Sequence, residues 1–324
     1  MSGPSRRGDT AAAPAVAGAG RRGPAALGPL DWGAIANLRL QARVVAEGLY
    51  AGGHRSLRRG SGVEFGGHRA YVPGDDLRFL DRRSLLKHDR LVVREFETDT
   101  ERALWLCLDA TASMGFRGAR APAAKLAFAA LVAAALARVA VAGTDPVGLV
   151  WLGGARPRDL PAGAGGPAFE RIVDSLSAAG AAGDLEADRD ALRRTLVVLG
   201  RRARRGSVVV LLSDLLDLPE GAERLVGALG TGGRVLVAVQ VLDPSERDLD
   251  FVGKVRLRAL EGPRSVETDV DAVRREYQAR LEAHTEAWSR ALSREGGRLV
   301  RAVTTDRAVI VVRQVLQVVA EARR

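Results

Sequence analysis

Short apolar runs alternate with longer segments of helical periodicity over the last two thirds of the chain. The apolar runs predict buried strands at residues 103–108, 147–152, 207–212, 235–241 and 299–303. Apolar residues at helical spacing predict helices at residues 121–141, 169–177, 188–199, 220–229, 270–295 and 308–322. Strands that alternate with helices in this way predict an α/β fold with a doubly wound, mostly parallel, Rossmann-like sheet.

Two segments rich in turn residues interrupt this alternation. Residues 153–167 contain many Gly and Pro residues and predict a loop. Residues 255–260 and 265–268 predict a hairpin whose turn contains Glu261, Gly262 and Pro263.

The first hundred residues have a different pattern. Residues 1–30 consist mainly of Ala, Gly and Pro with four arginines, which predicts a flexible tail. Residues 31–100 combine a helix near 35–49 with an irregular, Gly-rich basic segment and a strand at 91–97. We therefore predict three parts: the tail at 1–30, the N-terminal helix and basic segment at 31–100, and the α/β domain at 101–324.

Composition narrows the classes of partner and site. The 324 residues carry a formal net charge of +10, which favours an anionic partner surface. Aromatic residues make up only 4%, so specific nucleic-acid binding through base stacking is not expected. One cysteine excludes an intramolecular disulfide, and four histidines without metal-site spacing disfavour a histidine metal site.

The most apolar stretch, residues 126–137, has charged residues on both sides. Its twelve residues are fewer than the roughly 20 that a membrane-spanning helix needs. The N-terminus lacks the continuous apolar core of a secretion signal. We expect a cytoplasmic protein with no membrane span.

Oxygen-bearing side chains follow two of the predicted strands. Asp109, Thr111 and Ser113 come directly after the first strand, and Asp214 follows the strand at 207–212. If these strands are neighbours at the point where strand order reverses, the four side chains converge. Carboxylates and hydroxyls are the hard oxygen donors that Mg²⁺ prefers, so these residues form a candidate Mg²⁺ site. The structural alternative is a strand-to-helix turn in which the same side chains cap backbone N–H groups.

The sequence of this loop resembles a known metal site. Asp-Ala-Thr-Ala-Ser at 109–113 is similar to the metal-ion-dependent adhesion site of von Willebrand factor A domains. The chain as a whole resembles family 58 of the domains of unknown function over roughly residues 50–310. The stretches that carry this resemblance are Gly-Ser-Gly-Val-Glu-Phe at 60–65, Tyr-Val-Pro-Gly-Asp-Asp at 71–76, Val-Arg-Glu-Phe-Glu at 93–97 and Asp-Pro-Ser-Glu at 243–246.

The resemblance implies a von Willebrand factor A-like domain whose bound divalent ion keeps a position open for an acidic side chain of a partner. It also implies a partnership with a MoxR-type AAA+ ATPase in the assembly or maturation of other proteins. The match is imperfect, because Arg82 replaces a tryptophan of the family and the 182–185 segment lacks the threonine of the adhesion site. The site is therefore expected to be degenerate: it binds metal weakly, recruits Asp184, or keeps only the surface.

The candidate site and the resemblance lead to two hypotheses about function, one a binding role and one an enzymatic role. The first is a non-enzymatic protein–protein interaction module, bridged by Mg²⁺ at Asp109, Thr111, Ser113 and Asp214. The alternative is a metal-dependent phosphoester hydrolase that uses Asp109 and Asp214. Phosphotransfer through an aspartyl phosphate commonly uses a second carboxylate two residues on, where this chain has Thr111, and no histidine lies nearby as a base. We therefore expect no enzymatic activity.

Overall fold

The computed structural model describes residues 30–51, 64–70, 92–97, 102–154 and 159–323. The strands are β1 (Glu64–Ala70), β2 (Val92–Glu97), β3 (Leu104–Asp109), β4 (Val147–Leu152), β5 (Leu160–Gly163), β6 (Val208–Ser213), β7 (Val235–Leu242), β8 (Lys254–Arg258), β9 (Ser265–Asp269) and β10 (Arg298–Val303). The helices are α1 (Leu38–Ala51), α2 (Lys125–Ala142), α3 (Gly165–Ser177), α4 (Arg189–Arg202), α5 (Ala222–Gly227), α6 (Pro244–Asp248), α7 (Val270–Arg294) and α8 (Ala308–Ala322).

Six strands form the central sheet in the order β10-β7-β6-β3-β4-β5. All neighbours in this sheet are parallel except β4 and β5. The chain enters at β3, adds β4 on one side and then crosses to β6 on the other, so strand order reverses between β3 and β6. The prediction of a doubly wound, mostly parallel α/β sheet is confirmed, and so is the predicted adjacency of the two strands that carry the site.

Helices cover both faces of the sheet because the central strands are apolar on both faces. On one face, buried side chains of α1, α2, α3 and α8 pack together in one core. On the other face, α4, α5 and α7 pack in a second core around Trp105 and Trp288. Every residue of β3, β4, β6 and β7 is buried, as expected for strands covered on both sides.

Helix α2 lies in the first of these cores. Of the described helices, it is the one that is long and apolar enough to cross a membrane by length and composition, and 72% of it is buried inside the protein. It begins at Lys125, four residues later than predicted. The preceding backbone bonds elsewhere: Ala34 N–H donates to Pro122 O, and Ala124 N–H donates to Asp31 O.

Two further local predictions differ from the structure. The loop predicted at 153–167 contains β5, a short edge strand antiparallel to β4, and the start of α3 at Gly165. Residues 64–70 form a strand, β1, that pairs with the predicted strand β2, although its Gly-Gly sequence gives no strand signal. The predicted tail, most of the basic segment and Arg82 lie outside the described residues, so the three-part division of the chain stays a prediction.

The predicted hairpin is confirmed as β8 and β9, which pair antiparallel from Lys254–Asp269 at the open end to Arg258–Ser265 at the turn. No residue of either strand is fully buried. At the open end, the chain continues directly into the 25-residue helix α7. The turn of the hairpin carries Glu261, which is buried although the strands are not.

Candidate functional site

The loop after β3 folds back over the carboxylate of Asp109. Asp109 Oδ1 accepts hydrogen bonds from the Thr111 backbone N–H at 2.9 Å and from the Thr111 hydroxyl at 2.7 Å. The hydroxyl oxygens of Thr111 and Ser113 are 3.1 Å apart. All three side chains are buried. Asp109 therefore holds the Thr111 hydroxyl, which lies beside that of Ser113, and the structure brings Asp109, Thr111 and Ser113 together as predicted.

Strand β6 contributes a further hydroxyl from its last residue. Ser213 donates to Asp109 Oδ2 at 2.6 Å and accepts from the Leu215 backbone N–H at 3.0 Å. Leu215 adopts a left-handed backbone conformation (φ 61°), which is unfavourable for a leucine. Its carbonyl oxygen lies 2.7 Å from His284 Nε2 of α7. Ser213 thus joins the ends of β3 and β6. The hydrogen bonds of Leu215 to Ser213 and His284 stabilise its unfavourable backbone conformation.

A buried lysine holds the carboxylate of Asp214. Lys125 Nζ, at the first residue of α2, donates to Asp214 Oδ2 at 2.7 Å and to Glu246 Oε1 at 2.5 Å. The lysine side chain is fully buried. Glu246 is positioned by a capping box, in which its other oxygen accepts from the backbone N–H of Asp243. Asp214 is therefore already paired with a cation of the protein itself.

The turn of the β8–β9 hairpin brings a third carboxylate to the site. Glu261 Oε1 accepts from the Ser113 backbone N–H at 3.0 Å, across 148 residues of sequence. Only 4% of the residue is exposed. The other oxygen, Oε2, is buried without a hydrogen-bond partner in the part of the chain that the structure describes. Glu261 therefore faces the side chains of Ser113 and Thr111.

The 182–185 segment, where the adhesion site would supply its threonine, contacts the loop through its backbone. Ala112 N–H donates to Gly183 O at 3.1 Å, and Ala182 N–H donates to Ala110 O at 2.8 Å. The Asp184 carboxylate accepts instead from the backbone N–H groups of residues 186 and 187, at 2.9 and 3.0 Å. The structure thus places Asp184 as a turn cap, with no hydrogen bond to Asp109, Thr111 or Ser113.

The three carboxylates differ in their electrostatic environments. Burial, together with the negative charge of Asp214, raises the pKa of Asp109 to about 6. Burial also raises the pKa of Glu261 to about 7, and the Ser113 and Thr111 groups that face it offset this only in part. Burial alone would raise the pKa of Asp214, but the Lys125 ammonium outweighs it and keeps this pKa below its ordinary value. Asp109 and Glu261 are therefore the two carboxyl groups of the site that no Lys or Arg neutralises among the described residues.

The site could hold a hard cation only if hydroxyl groups serve as ligands. Among the described residues, no three His, Cys, Asp or Glu side chains form a cluster that could hold a metal ion. An ion would need the hydroxyls of Thr111 and Ser113 as ligands, with Asp109 holding them in place. The unpartnered Oε2 of Glu261 is a buried oxygen that a cation would satisfy. Oxygen donors of this kind suit Mg²⁺ or Mn²⁺.

The structure thus brings together all four residues of the predicted site: Asp214 meets the loop through the Ser113 side chain, and it is also paired with Lys125. Sequence reasoning missed four further residues: Ser213, Lys125, Glu246 and Glu261. A lysine that opens an otherwise apolar helix was a signal for the buried ion pair. The turn residue Glu261 gave no signal, since acidic residues in hairpin turns are usually exposed.

Comparison with known proteins identifies the family. A model described as "protein of unknown function DUF58" matches residues 67–287. The uncharacterized protein Rv1480 of Mycobacterium tuberculosis is 31% identical over 280 residues, which cover 85% of this chain and 84% of that protein. The chain belongs to the DUF58 family. A second uncharacterized relative of the DUF58 chain, MAV169 of Mycobacterium avium, is 34% identical over 40% of this chain and 70% of that protein.

Solved structures with a similar arrangement are more distant from this DUF58 protein. The conserved hypothetical protein BatB from Bacteroides thetaiotaomicron is 14% identical with a TM-score of 0.43, covering 68% of this chain and 99% of that one. A von Willebrand factor type A protein from Catenulispora acidiphila is 10% identical with a TM-score of 0.37, covering 71% and 43%. At these TM-scores, the function has to be argued from the site itself.

Proposed function

We propose that this DUF58 protein is a non-enzymatic protein-interaction module with a Mg²⁺ site at the ends of β3 and β6. The observation that carries the proposal is the pair of hydroxyl oxygens of Thr111 and Ser113, 3.1 Å apart, of which the first donates to the buried Asp109. Two neutral hydroxyls leave most of the charge of a bound Mg²⁺ unneutralised. Such an ion attracts a further anionic oxygen, which an acidic side chain of a partner can supply.

Asp109 and Asp214 have supporting roles in this proposal. Asp109 accepts three hydrogen bonds, from the Thr111 N–H and hydroxyl and from Ser213. Asp214 pairs with Lys125, so it orients the helix start beside the site and does not face an ion alone. A bound Mg²⁺ would supply charge attraction for a carboxylate, and these residues would fix where that carboxylate binds.

The same contacts give less support to the alternative, a phosphoester hydrolase. A nucleophilic or basic Asp109 would need a carboxylate oxygen free to reach its substrate. Oδ1 accepts two hydrogen bonds, and Oδ2 accepts a short one from Ser213 at 2.6 Å. Asp214 is neutralised by an ammonium group 2.7 Å away. We therefore favour binding over turnover for this site.

For the partner, we propose a MoxR-type AAA+ ATPase that presents an acidic side chain. The formal net charge of +10 on the chain suits an acidic partner surface, because complementary charge speeds association. In the test, the immobilised full chain captures the purified ATPase of the same organism with ATP and Mg²⁺ present. Ser113→Ala removes one hydroxyl ligand, and Ser293→Ala removes an exposed hydroxyl at the end of α7 as a matched control.

We expect Ser113→Ala to lower the captured ATPase at least tenfold and Ser293→Ala to leave it unchanged. Variants are preferable to chelation here, since an AAA+ ATPase itself uses Mg²⁺ with its nucleotide. Equal capture by wild type and Ser113→Ala would contradict the metal bridge but still support the ATPase as the partner. A wild-type chain that captures no ATPase would contradict the partnership.

A further inference from the structure

Glu261 is an acidic side chain that the protein buries without neutralising it. One carboxylate oxygen bonds to the Ser113 backbone N–H at 3.0 Å, and the other has no partner in the described part of the chain. No Lys or Arg pairs with it among the described residues. Leaving a buried carboxylate oxygen unpaired costs folding free energy, so a group that is stable there needs a cation or a proton beside it.

The packing of the β8–β9 hairpin does not explain why Glu261 is buried. Its two strands expose residues on both faces, and Val266 is 60% exposed. A cleft of about 560 Å³ separates the hairpin from α7. Near the turn, an exposed ion pair between Arg264 and Glu186 (2.9 Å) accompanies the Glu261 contact. Exposed ion pairs contribute little to stability, so the buried Glu261 hydrogen bond is the stronger of these two contacts between the hairpin turn and the body of the protein.

We propose that Glu261 is a built-in acidic ligand of the cation site at Thr111 and Ser113, supplied by the β8–β9 hairpin. The inference rests on the proposed function, in which a carboxylate from a partner completes the coordination of the ion. Glu261 occupies the place of that carboxylate. The site is closed while Glu261 is in position, and a partner gains access only when the hairpin turn moves away.

Burial of the whole site supports this closed state. Thr111 is 3% exposed and Ser113 is 6% exposed, so an external side chain has no path to their hydroxyls in this arrangement. The hairpin is suited to movement because its strands bury no residue in either core. The chain enters the hairpin at Gly253, whose left-handed backbone (φ 69°) suits glycine. The ion would then link the hairpin turn to the sheet.

The first test measures binding of Mn²⁺, used as the probe ion, by electron paramagnetic resonance of the free ion with the full chain. We expect Glu261→Gln to weaken Mn²⁺ binding about tenfold or more, because the neutral amide lacks the carboxylate charge that attracts the ion. Glu267→Gln, an exposed change on the same hairpin, is the matched control and should bind like wild type. Ser113→Ala should lose binding as well. Circular dichroism verifies that each variant is folded.

The outcomes separate this inference from the proposed function. Binding that Ser113→Ala loses but Glu261→Gln keeps at full strength would overturn the role of Glu261 and leave the proposed function standing. In that case a proton, and not a cation, accounts for the buried carboxyl. A wild-type chain that binds no Mn²⁺ would overturn both. Tenfold weaker binding in Glu261→Gln, with Glu267→Gln unchanged, supports both.

A second measurement tests the closure itself through amide hydrogen exchange of residues 254–269. If the ion links the hairpin to the sheet, Mg²⁺ should slow exchange in this segment of the wild type at least several-fold. The same addition should leave exchange in Glu261→Gln unchanged, because the link is gone. Protection of the hairpin by Mg²⁺ in both proteins, or in neither, would overturn the closure.

Discussion

Two carboxylates at the ends of neighbouring strands, Asp109 and Asp214, are equally buried and yet differ in charge balance. Asp214 pairs with the Lys125 ammonium at 2.7 Å, which keeps its pKa below the ordinary value despite burial. Asp109 receives only neutral donors, and burial raises its pKa to about 6. One strand end is an internally neutralised structural centre, and the other has unbalanced negative charge beside two hydroxyls.

The difference in charge balance between Asp109 and Asp214 determines which of the two carboxylates an added cation would stabilise. A fully paired carboxylate gains little from an added cation, because the Lys125 charge already compensates it. An unpaired carboxylate in a buried site gains much more. Under the proposed function, the half of the site around Asp109, Thr111 and Ser113 would bind the ligand, and the half around Asp214 would contribute to stability.

Removal of the buried ammonium should have the largest effect. Lys125→Met keeps the length of the side chain but leaves Asp214 and Glu246 as uncompensated buried carboxylates. We expect a loss of about 3–5 kcal/mol in the free energy of unfolding, measured by urea denaturation. Arg280→Met, which breaks an exposed pair with Glu276, should change it by less than about 0.5 kcal/mol. Similar values for the two variants would refute the structural role of Lys125.

The paired substitutions Asp214→Asn and Asp109→Asn compare the two halves directly. Asp214→Asn should cost about 2–4 kcal/mol in stability at pH 7, because Lys125 keeps only one charged partner. Asp109→Asn should cost about 1 kcal/mol or less, since it removes a buried charge whose pKa is already raised and retains the side-chain shape. Urea denaturation without divalent ions measures both. Equal costs would mean that the two carboxylates have the same role.

The sequence predicted the half of the site that lies within one loop better than the half assembled from distant elements. The spacing of Asp109, Thr111 and Ser113 is local, so their convergence follows from a single strand-to-helix turn. The pairing of Asp214 with Lys125 spans 89 residues and depends on how α2 crosses the sheet. Such contacts are fixed by packing, which the pattern of apolar residues does not resolve.

The fold shows the same contrast between local and distant signals. Fully apolar strands such as β6 and β7 were predicted almost to the residue, because only a doubly covered strand tolerates that composition. The edge strand β5 was predicted as a loop, since its sequence, Leu-Pro-Ala-Gly, has no strand propensity and its pairing is imposed by β4. Burial of Glu261 likewise depends on a contact between the hairpin turn and Ser113, which are 148 residues apart in sequence.

The raised pKa of Glu261 predicts a pH dependence of stability in the absence of divalent ions. Its pKa is about 7 in the folded protein, against an ordinary value of 4.5. Between these values the folded state keeps a proton that the unfolded chain releases, so the contribution of Glu261 to stability is largest below pH 4.5 and declines up to pH 7. We expect this decline to be about 2–3 kcal/mol smaller in Glu261→Gln.

The measurement is a series of urea denaturations from pH 4.5 to 7.5 in EDTA, with wild type and Glu261→Gln side by side. Asp109 contributes a decline of the same sign in both proteins, so only their difference reports on Glu261. Parallel pH profiles would show that the buried carboxyl titrates normally. Added Mg²⁺ should reduce the decline in wild type, because the ion stabilises the ionised form.

A moderate effect is expected from the Ser213 hydroxyl, which joins the two halves. Ser213→Ala removes the donor to Asp109 Oδ2 and the acceptor of the Leu215 N–H, in a turn that is already strained. We expect a loss of about 1–2 kcal/mol in the free energy of unfolding, typical of buried hydrogen bonds. In the Asp109→Asn background, Ser213→Ala should cause a smaller loss in the free energy of unfolding, since the lost hydrogen bond is then not to a charged group. A double-mutant cycle measures that coupling, and strictly additive costs would mean that Ser213 supports the Leu215 turn alone.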